Sequence, residues 1–171
     1  MTPESSKKIR ESLHLLELKT ADDINSEFSN IDDILDHYSV VYKYGREFVN
    51  VEGKTLVDAL STQPSERQFF GYCAVNLRRI VKVFEARLAS ERSKVYSELL
   101  RTEPRDLTDR ALNQVVDGNE NVYTVTMELL KIREYSERFA DLVESYNQRG
   151  FTLNNLTKSM QAAIEEMEIN G

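Results

Sequence analysis

Apolar residues recur every three or four positions along two long stretches of the chain, as on one face of an α-helix. In the first stretch they fall within an arc of about 100° when successive residues are placed 100° apart. The residues of this arc are Phe70, Cys73, Leu77, Ile80, Val81, Phe84, Leu88, Val95 and Leu99. Ser65 is a possible N-cap and Leu100 lies near the end, so a helix of about 34 residues would be roughly 50 Å long. One globular core does not easily cover that length, and we expect a partner helix.

The second long stretch predicts that partner. Its apolar positions are Val122, Val125, Leu129, Ile132, Phe139, Leu142, Val143 and Tyr146. Gly150 is the expected stop, because glycine accepts the left-handed conformation that ends many helices. A short helix capped by Thr108 or Asp106 and ending near Val116 should connect the two long helices, which would then pack antiparallel. A last helix is predicted from about Leu153 to Met167.

The N-terminal part has a different character. Residues 1–37 are rich in Asp and Glu and predict an acidic arm, while residues 38–171 would form the helical domain. Short helical patterns within the arm occur at Ile9–Leu18 and Asp22–Asp36. Such an arm is expected to order only against a neighbour.

Between the arm and the first long helix, Phe48, Val49 and Val51 are β-prone and predict a short strand or extended piece that ends at Gly53. Residues 55–60 then predict a brief helix. The letters GKT at 53–55 resemble the end of a phosphate-binding loop, but that loop needs a glycine where this chain has Phe48. We therefore reject a nucleotide site here.

Composition agrees with a mostly helical protein, since 171 residues include only 6 Gly and 3 Pro. The predicted fold is all-α: a long antiparallel helical hairpin with short N- and C-terminal helices, in an oligomer-forming chain. The single cysteine, Cys73, is expected to be a small buried hydrophobe. No signal-peptide pattern and no bilayer-spanning stretch is visible, so we expect a cytoplasmic protein with no membrane partner.

Catalytic chemistry finds little support in the sequence. The two histidines, His14 and His37, lie in the acidic arm without the spacing of metal ligands. No Gly-x-Ser-x-Gly nucleophile motif is present. We expect neither an enzyme nor a bound metal or cofactor.

The basic residues of the first long helix form a charge island in a chain of net charge −7. They are Arg78, Arg79, Lys82, Arg87, Arg92 and Lys94. Only Glu85 and Glu91 oppose them between residues 78 and 94, which leaves a local charge of +4. Such cations can follow a phosphate backbone, and Tyr96 is a candidate for stacking on a base. Because the cations spread over more than half of the helix circumference, an ordinary solvated face is the alternative.

The segment NQRGFTLNNLTK, residues 147–158, has only two charges, Arg149 and Lys158. Simple helix punctuation predicts Gly150 as a stop, Phe151 as a buried anchor after it, and Thr152 or Asn154 as the next N-cap.

Three segments in this order resemble UvsY-type recombination mediators of tailed bacteriophages, over roughly residues 66–160. They are ERSKVY at 91–96, DLTDRALNQVVDGNENVY at 106–123, and QRGFTLNNLTK at 148–158 after the second long helix. The family has a basic-x-basic step just before a tyrosine, and this chain has Arg92-Ser93-Lys94 before Tyr96.

The resemblance implies a small, helical, ring-forming protein that binds single-stranded DNA. It also implies help to a RecA-like recombinase in replacing the single-strand-binding protein on that DNA. By resemblance, Arg92 and Lys94 contact DNA, and the residues around Gly150, Phe151, Leu153 and Leu156 support the homo-oligomer. The acidic N-terminal arm is longer than we expect for this family. It would mimic DNA or contact a partner protein.

Two other functions stay open from the sequence. A phage structural or assembly protein would use the same helices only for protein contacts. A helical adaptor is the third possibility. Salt-sensitive binding to single-stranded DNA would separate the mediator from both.

Overall fold

Four α-helices account for nearly all of the residues that the computed structural model describes, which are 31–50, 55–102 and 108–170. They are α1 (Ile31–Val49), α2 (Leu56–Thr102), α3 (Asp109–Asp117) and α4 (Glu120–Asn170). No β-strand occurs in these ranges. The all-α prediction is therefore confirmed.

The two longest helices, α2 and α4, form the predicted antiparallel hairpin. Near its open end, Glu66 of α2 pairs with Arg149 of α4, and near its connected end Arg87 pairs with Glu128. The apolar arcs read from the sequence face each other between these pairs. The buried core cluster comprises Ile31, Ile34, Leu35, Tyr38, Val41, Phe70, Cys73, Ala74, Leu77, Ile80, Phe84, Val125, Leu129, Ile132, Phe139, Leu142 and Tyr146.

Helix α1 completes a three-helix bundle by packing parallel to α4. Tyr38 meets Phe139 edge to face with 5.5 Å between ring centroids, and the Tyr146 hydroxyl donates to the Gly45 carbonyl at 3.3 Å. An ideal Cβ at Gly45 would lie 2.5 Å from Leu142 Cδ2, so glycine allows this close approach without a shift of the neighbouring side chains. The boundary predicted between residues 37 and 38 falls inside α1. Within residues 31–37, Ile31, Ile34 and Leu35 belong to the buried core cluster. The rest of the predicted arm, residues 1–30, lies outside the described residues.

The connecting helix α3 has the predicted start and end. The Thr108 side chain accepts a hydrogen bond from the Ala111 amide, which makes Thr108 the N-cap, and Gly118 closes the helix. Leu112 and Val116 are buried, so α3 closes the connected end of the hairpin with a small apolar contact of its own.

Two local predictions near α2 are wrong. Phe48 and Val49 belong to α1 rather than to a strand, and Val51 is outside the described residues. Helix α2 begins at Leu56, where the Thr55 hydroxyl accepts from the Asp58 amide at 3.1 Å, and it does not begin at Ser65. It continues through Pro64 because tertiary contacts with α4 stabilise this segment more than one missing backbone hydrogen bond destabilises it.

The predicted stop at Gly150 is also wrong. Helix α4 runs without interruption to Asn170, so the predicted C-terminal helix is its continuation and does not leave at an angle. Phe151 is 69% exposed and is not a buried anchor. Instead Gly150 faces α2, where an ideal Cβ would lie 3.0 Å from Gln63 Nε2. The glycine is therefore a site of close helix approach.

Candidate nucleic-acid interface

The outer face of α2 carries cations that the rest of the described chain does not neutralise. Arg78, Arg79 and Lys82 are exposed and form no ion pair with any described residue. They lie on the side of the helix opposite the buried Leu77 and Ile80. Residues 67–84 contain four cations and no acid. This face therefore presents positive charge to solvent in a chain that is acidic overall.

The other predicted cations behave differently, because each has an acidic partner. Arg87 Nη1 lies 3.4 Å from Glu128 Oε2 on α4. Arg92 pairs with Asp117 at the end of α3, and Lys94 Nζ lies 2.7 Å from Glu91 Oε1 one turn earlier. The predicted set of nucleic-acid-binding residues thus divides into a group at 78–82 without an acidic partner in the described ranges and a paired group at 87–94.

Exposure of the paired group keeps it open to a ligand. The Arg87, Arg92 and Lys94 side chains are 45%, 40% and 67% exposed. Exposed ion pairs contribute about 0–1 kcal/mol each, so a phosphate can replace a carboxylate partner at little cost. Tyr96, the predicted stacking residue, is half-buried, and its stacking on a base stays a prediction.

One aromatic residue on the outer face of α2 was missed by the sequence reasoning. Tyr72 is 46% exposed, and Val75, one turn further on, is 44% exposed. The spacing of three and then four residues from Tyr72 to Val75 and Arg79 places all three on one side of the helix. The sequence contained this information, since Tyr72 lies outside the arc of apolar residues that was predicted to face the core.

The residues predicted to support an oligomer fall into two groups. Gly150 faces Gln63, and Leu153 is buried near the start of α2, so both lie inside the subunit. Phe151 and Leu156 are exposed at 69% and 50%. Contact of Phe151 and Leu156 with a neighbouring subunit stays a prediction.

The final part of α4 continues the hydrophobic stripe of the core beyond the N-terminal end of α2. Buried positions Leu142, Tyr146, Arg149 and Leu153 are followed at the same spacing by four exposed apolar residues. These are Leu156, Met160, Ile164 and Met167. Residues 158–167 are all exposed. We call the stripe from Leu156 to Met167 the α4 seam.

Comparisons of the chain with protein-family models, with curated proteins and with solved structures find no match. None of the described helices contains a stretch long and apolar enough to span a bilayer. Within the described ranges, no three His, Cys, Asp or Glu side chains cluster as metal ligands do.

Proposed function

We propose that this protein is a non-enzymatic recombination mediator that binds single-stranded DNA. It would help a RecA-like recombinase to replace the single-strand-binding protein, in the cytoplasm where these proteins meet. The resemblance of residues 66–160 to UvsY-type mediators motivates the proposal. The observation that carries it is the cationic face of α2 at Arg78, Arg79 and Lys82, which form no ion pair with any described residue, because a polyanion is the partner that such a face attracts.

Affinity would come from repetition rather than from one strong site. A few phosphate contacts on one α2 helix give modest binding, and a homo-oligomeric ring repeats them along one strand. The α4 seam supplies an apolar surface for assembly, since four large apolar residues at helical spacing are exposed on it. Bending the strand around such a ring would weaken the hold of a competing binding protein.

A titration of fluorescently labelled oligo-dT at two salt concentrations tests the proposal. Binding should fall steeply with salt, because phosphate contacts release condensed counterions. Native mass measurement of the same sample gives the subunit number. A recombinase-loading assay on DNA coated with single-strand-binding protein then tests the mediator activity. Absence of oligo-dT binding at low salt would exclude the mediator.

The second candidate is a phage structural or assembly protein. The α4 seam favours it, because that surface can join protein subunits without any DNA. Such a protein should assemble through α4 and bind oligo-dT no better than a helical protein of similar acidity. Assembly without DNA binding would select this candidate.

A further inference from the structure

Two exposed apolar residues lie on the outer face of α2 next to Arg78, Arg79 and Lys82, which form no ion pair with any described residue. Tyr72 and Val75 expose nearly half of their side chains, although both are large and apolar. Tyr72, Val75, Arg79 and Lys82 follow one another at steps of three, four and three residues. They therefore form one row about 15 Å long on a single side of the helix.

The surface next to this row is open. An ideal Cβ at Gly71 would meet no atom within 4 Å, and Gly71 lies one turn before Val75 on the outer side of the helix. The space beside Gly71, next to Tyr72 in the chain, is therefore open. Arg78 borders the row at the next turn and adds a third cation that has no ion pair among the described residues.

We infer that Tyr72, Val75, Arg78, Arg79 and Lys82 form a binding tract for single-stranded nucleic acid, in which Tyr72 stacks on a base. The three cations would hold the phosphates that flank that base. The inference rests on the proposed function and names its principal contact surface. An aromatic ring beside a line of cations is the combination that binds single strands without reading sequence.

Charge selects this occupant over a protein segment. Four cations and no acid lie between residues 67 and 84, so the tract complements a polyanion. Arg92 and Lys94 would contact phosphates only after their ion pairs with Asp117 and Glu91 open. Because Tyr72 is 46% exposed and Tyr96 is half-buried, we expect Tyr72 to contribute more to binding than Tyr96.

The test compares Tyr72 variants in the oligo-dT titration at two salt concentrations. Tyr72→Leu keeps an apolar side chain of useful size but has no aromatic face, whereas Tyr72→Phe keeps that face. We expect Tyr72→Leu to weaken binding by roughly 5- to 150-fold, the range that loss of one base stack produces. Tyr72→Phe should bind like the parent. Tyr123→Leu is the matched control, because Tyr123 is an exposed tyrosine on α4.

Salt dependence separates stacking from charge. Tyr72→Leu should lower affinity equally at both salt concentrations, because the ring carries no charge. Arg79→Ala should instead reduce the slope of log affinity against log salt concentration by about 0.7, as expected for one lost phosphate contact. Melting curves of each variant verify folding.

The possible failures are distinguishable. If the parent protein does not bind oligo-dT, both the proposed function and the inferred binding tract are wrong. If the parent binds and Tyr72→Leu matches both the parent and Tyr123→Leu, the tract is wrong while the proposed function stands. A change of oligomer size in Tyr72→Leu would mean that a second copy of the chain occupies this face, and would also overturn the inference.

Discussion

Arg149 and Glu66 form an ion pair across the two long helices in which Arg149 Nη1 lies 2.7 Å from Glu66 Oε2. The side chains are only 4% and 17% exposed. Arg149 also donates to the Ala59 carbonyl at 3.4 Å and lies over the Tyr146 ring. The arginine in the Arg-Gly-Phe sequence thus joins the start of α2 to α4 and is not itself available to a ligand.

Loss of the Glu66 carboxylate should destabilise the protein strongly. Removal of one partner from a buried pair leaves a buried charge without compensation and costs about 3–5 kcal/mol. We expect Glu66→Ala to lower the free energy of unfolding by about 3 kcal/mol, measured by urea denaturation at fixed protein concentration. Glu85→Ala is the control, because its pair with Arg133 is exposed and should contribute less than about 1 kcal/mol. Equal effects of the two substitutions would contradict a structural role for Arg149.

Gly150 and Gln63 should be energetically coupled. Alanine is favoured over glycine inside a helix by about 1 kcal/mol, but a Cβ at Gly150 would press on Gln63 Nε2. We expect Gly150→Ala to stabilise the protein by about 1 kcal/mol in a Gln63→Ala background. In the parent background, the same substitution should stabilise it less or destabilise it. A double-mutant cycle in urea measures this coupling, and additive effects would show that the two residues do not interfere.

Gly45 and Gly71 provide a matched pair of helical glycines. A Cβ at Gly45 would meet both Leu142 and Phe70 at under 3 Å, whereas one at Gly71 would meet nothing within 4 Å. Gly45→Ala should therefore destabilise the bundle by about 1–3 kcal/mol through overpacking. Gly71→Ala should stabilise it by about 0.5–1 kcal/mol through helix propensity. Thermal melts of both variants distinguish the two sites, and a stable Gly45→Ala protein would contradict the close packing of α1.

The sequence predicted the features that depend on helical periodicity. Cys73, Leu77 and Ile132 are buried as expected, because the period of the apolar residues determines which side of each helix faces its partner. The Thr108 cap was predictable for a similar reason, since its partner is the amide of Ala111, only three residues away.

Features set by distant contacts could not be predicted in this way. Pro64 and Gly150 each resemble a helix end when only their neighbours in sequence are considered. The contacts that hold α2 and α4 helical there join residues 83 positions apart, as in the Glu66–Arg149 and Gln63–Tyr146 pairs. The same limit applies to the cations, since the partner of Arg92 lies on another helix.

Burial of Cys73 has a consequence at alkaline pH. Loss of hydration raises the pKa of the Cys73 thiol from 9.0 to about 12. The unfolded chain ionises this thiol above pH 9 while the folded chain does not, so the stability that the neutral thiol contributes is complete below pH 9 and disappears as the pH approaches 12. Burial also raises the pKa of Tyr38 and Tyr146, which acts in the same direction.

We therefore expect the parent protein to lose stability between pH 9 and 11 more steeply than Cys73→Ala. Urea denaturation at several pH values measures the two slopes. The native thiol should also react slowly with a disulfide reagent at pH 8, and at the rate of a free thiol in denaturant. Identical slopes, or fast reaction in the folded protein, would contradict the buried environment of Cys73.

The α4 seam makes assembly testable without any DNA. Leu156, Met160 and Ile164 continue the core stripe onto an exposed length of helix, and a second apolar surface is needed to remove them from water. We expect Met160→Glu with Ile164→Glu to lower the mass measured by light scattering, while circular dichroism retains the helical signal of the bundle. Phe151→Ser is the comparison, since Phe151 is also exposed, at 69%, but lies on the opposite side of α4. If the seam variant keeps the parental mass and Phe151→Ser dissociates, the subunits meet on the Phe151 side instead. If both variants and the parent are monomers at micromolar concentration, a ring that multiplies weak DNA contacts is excluded.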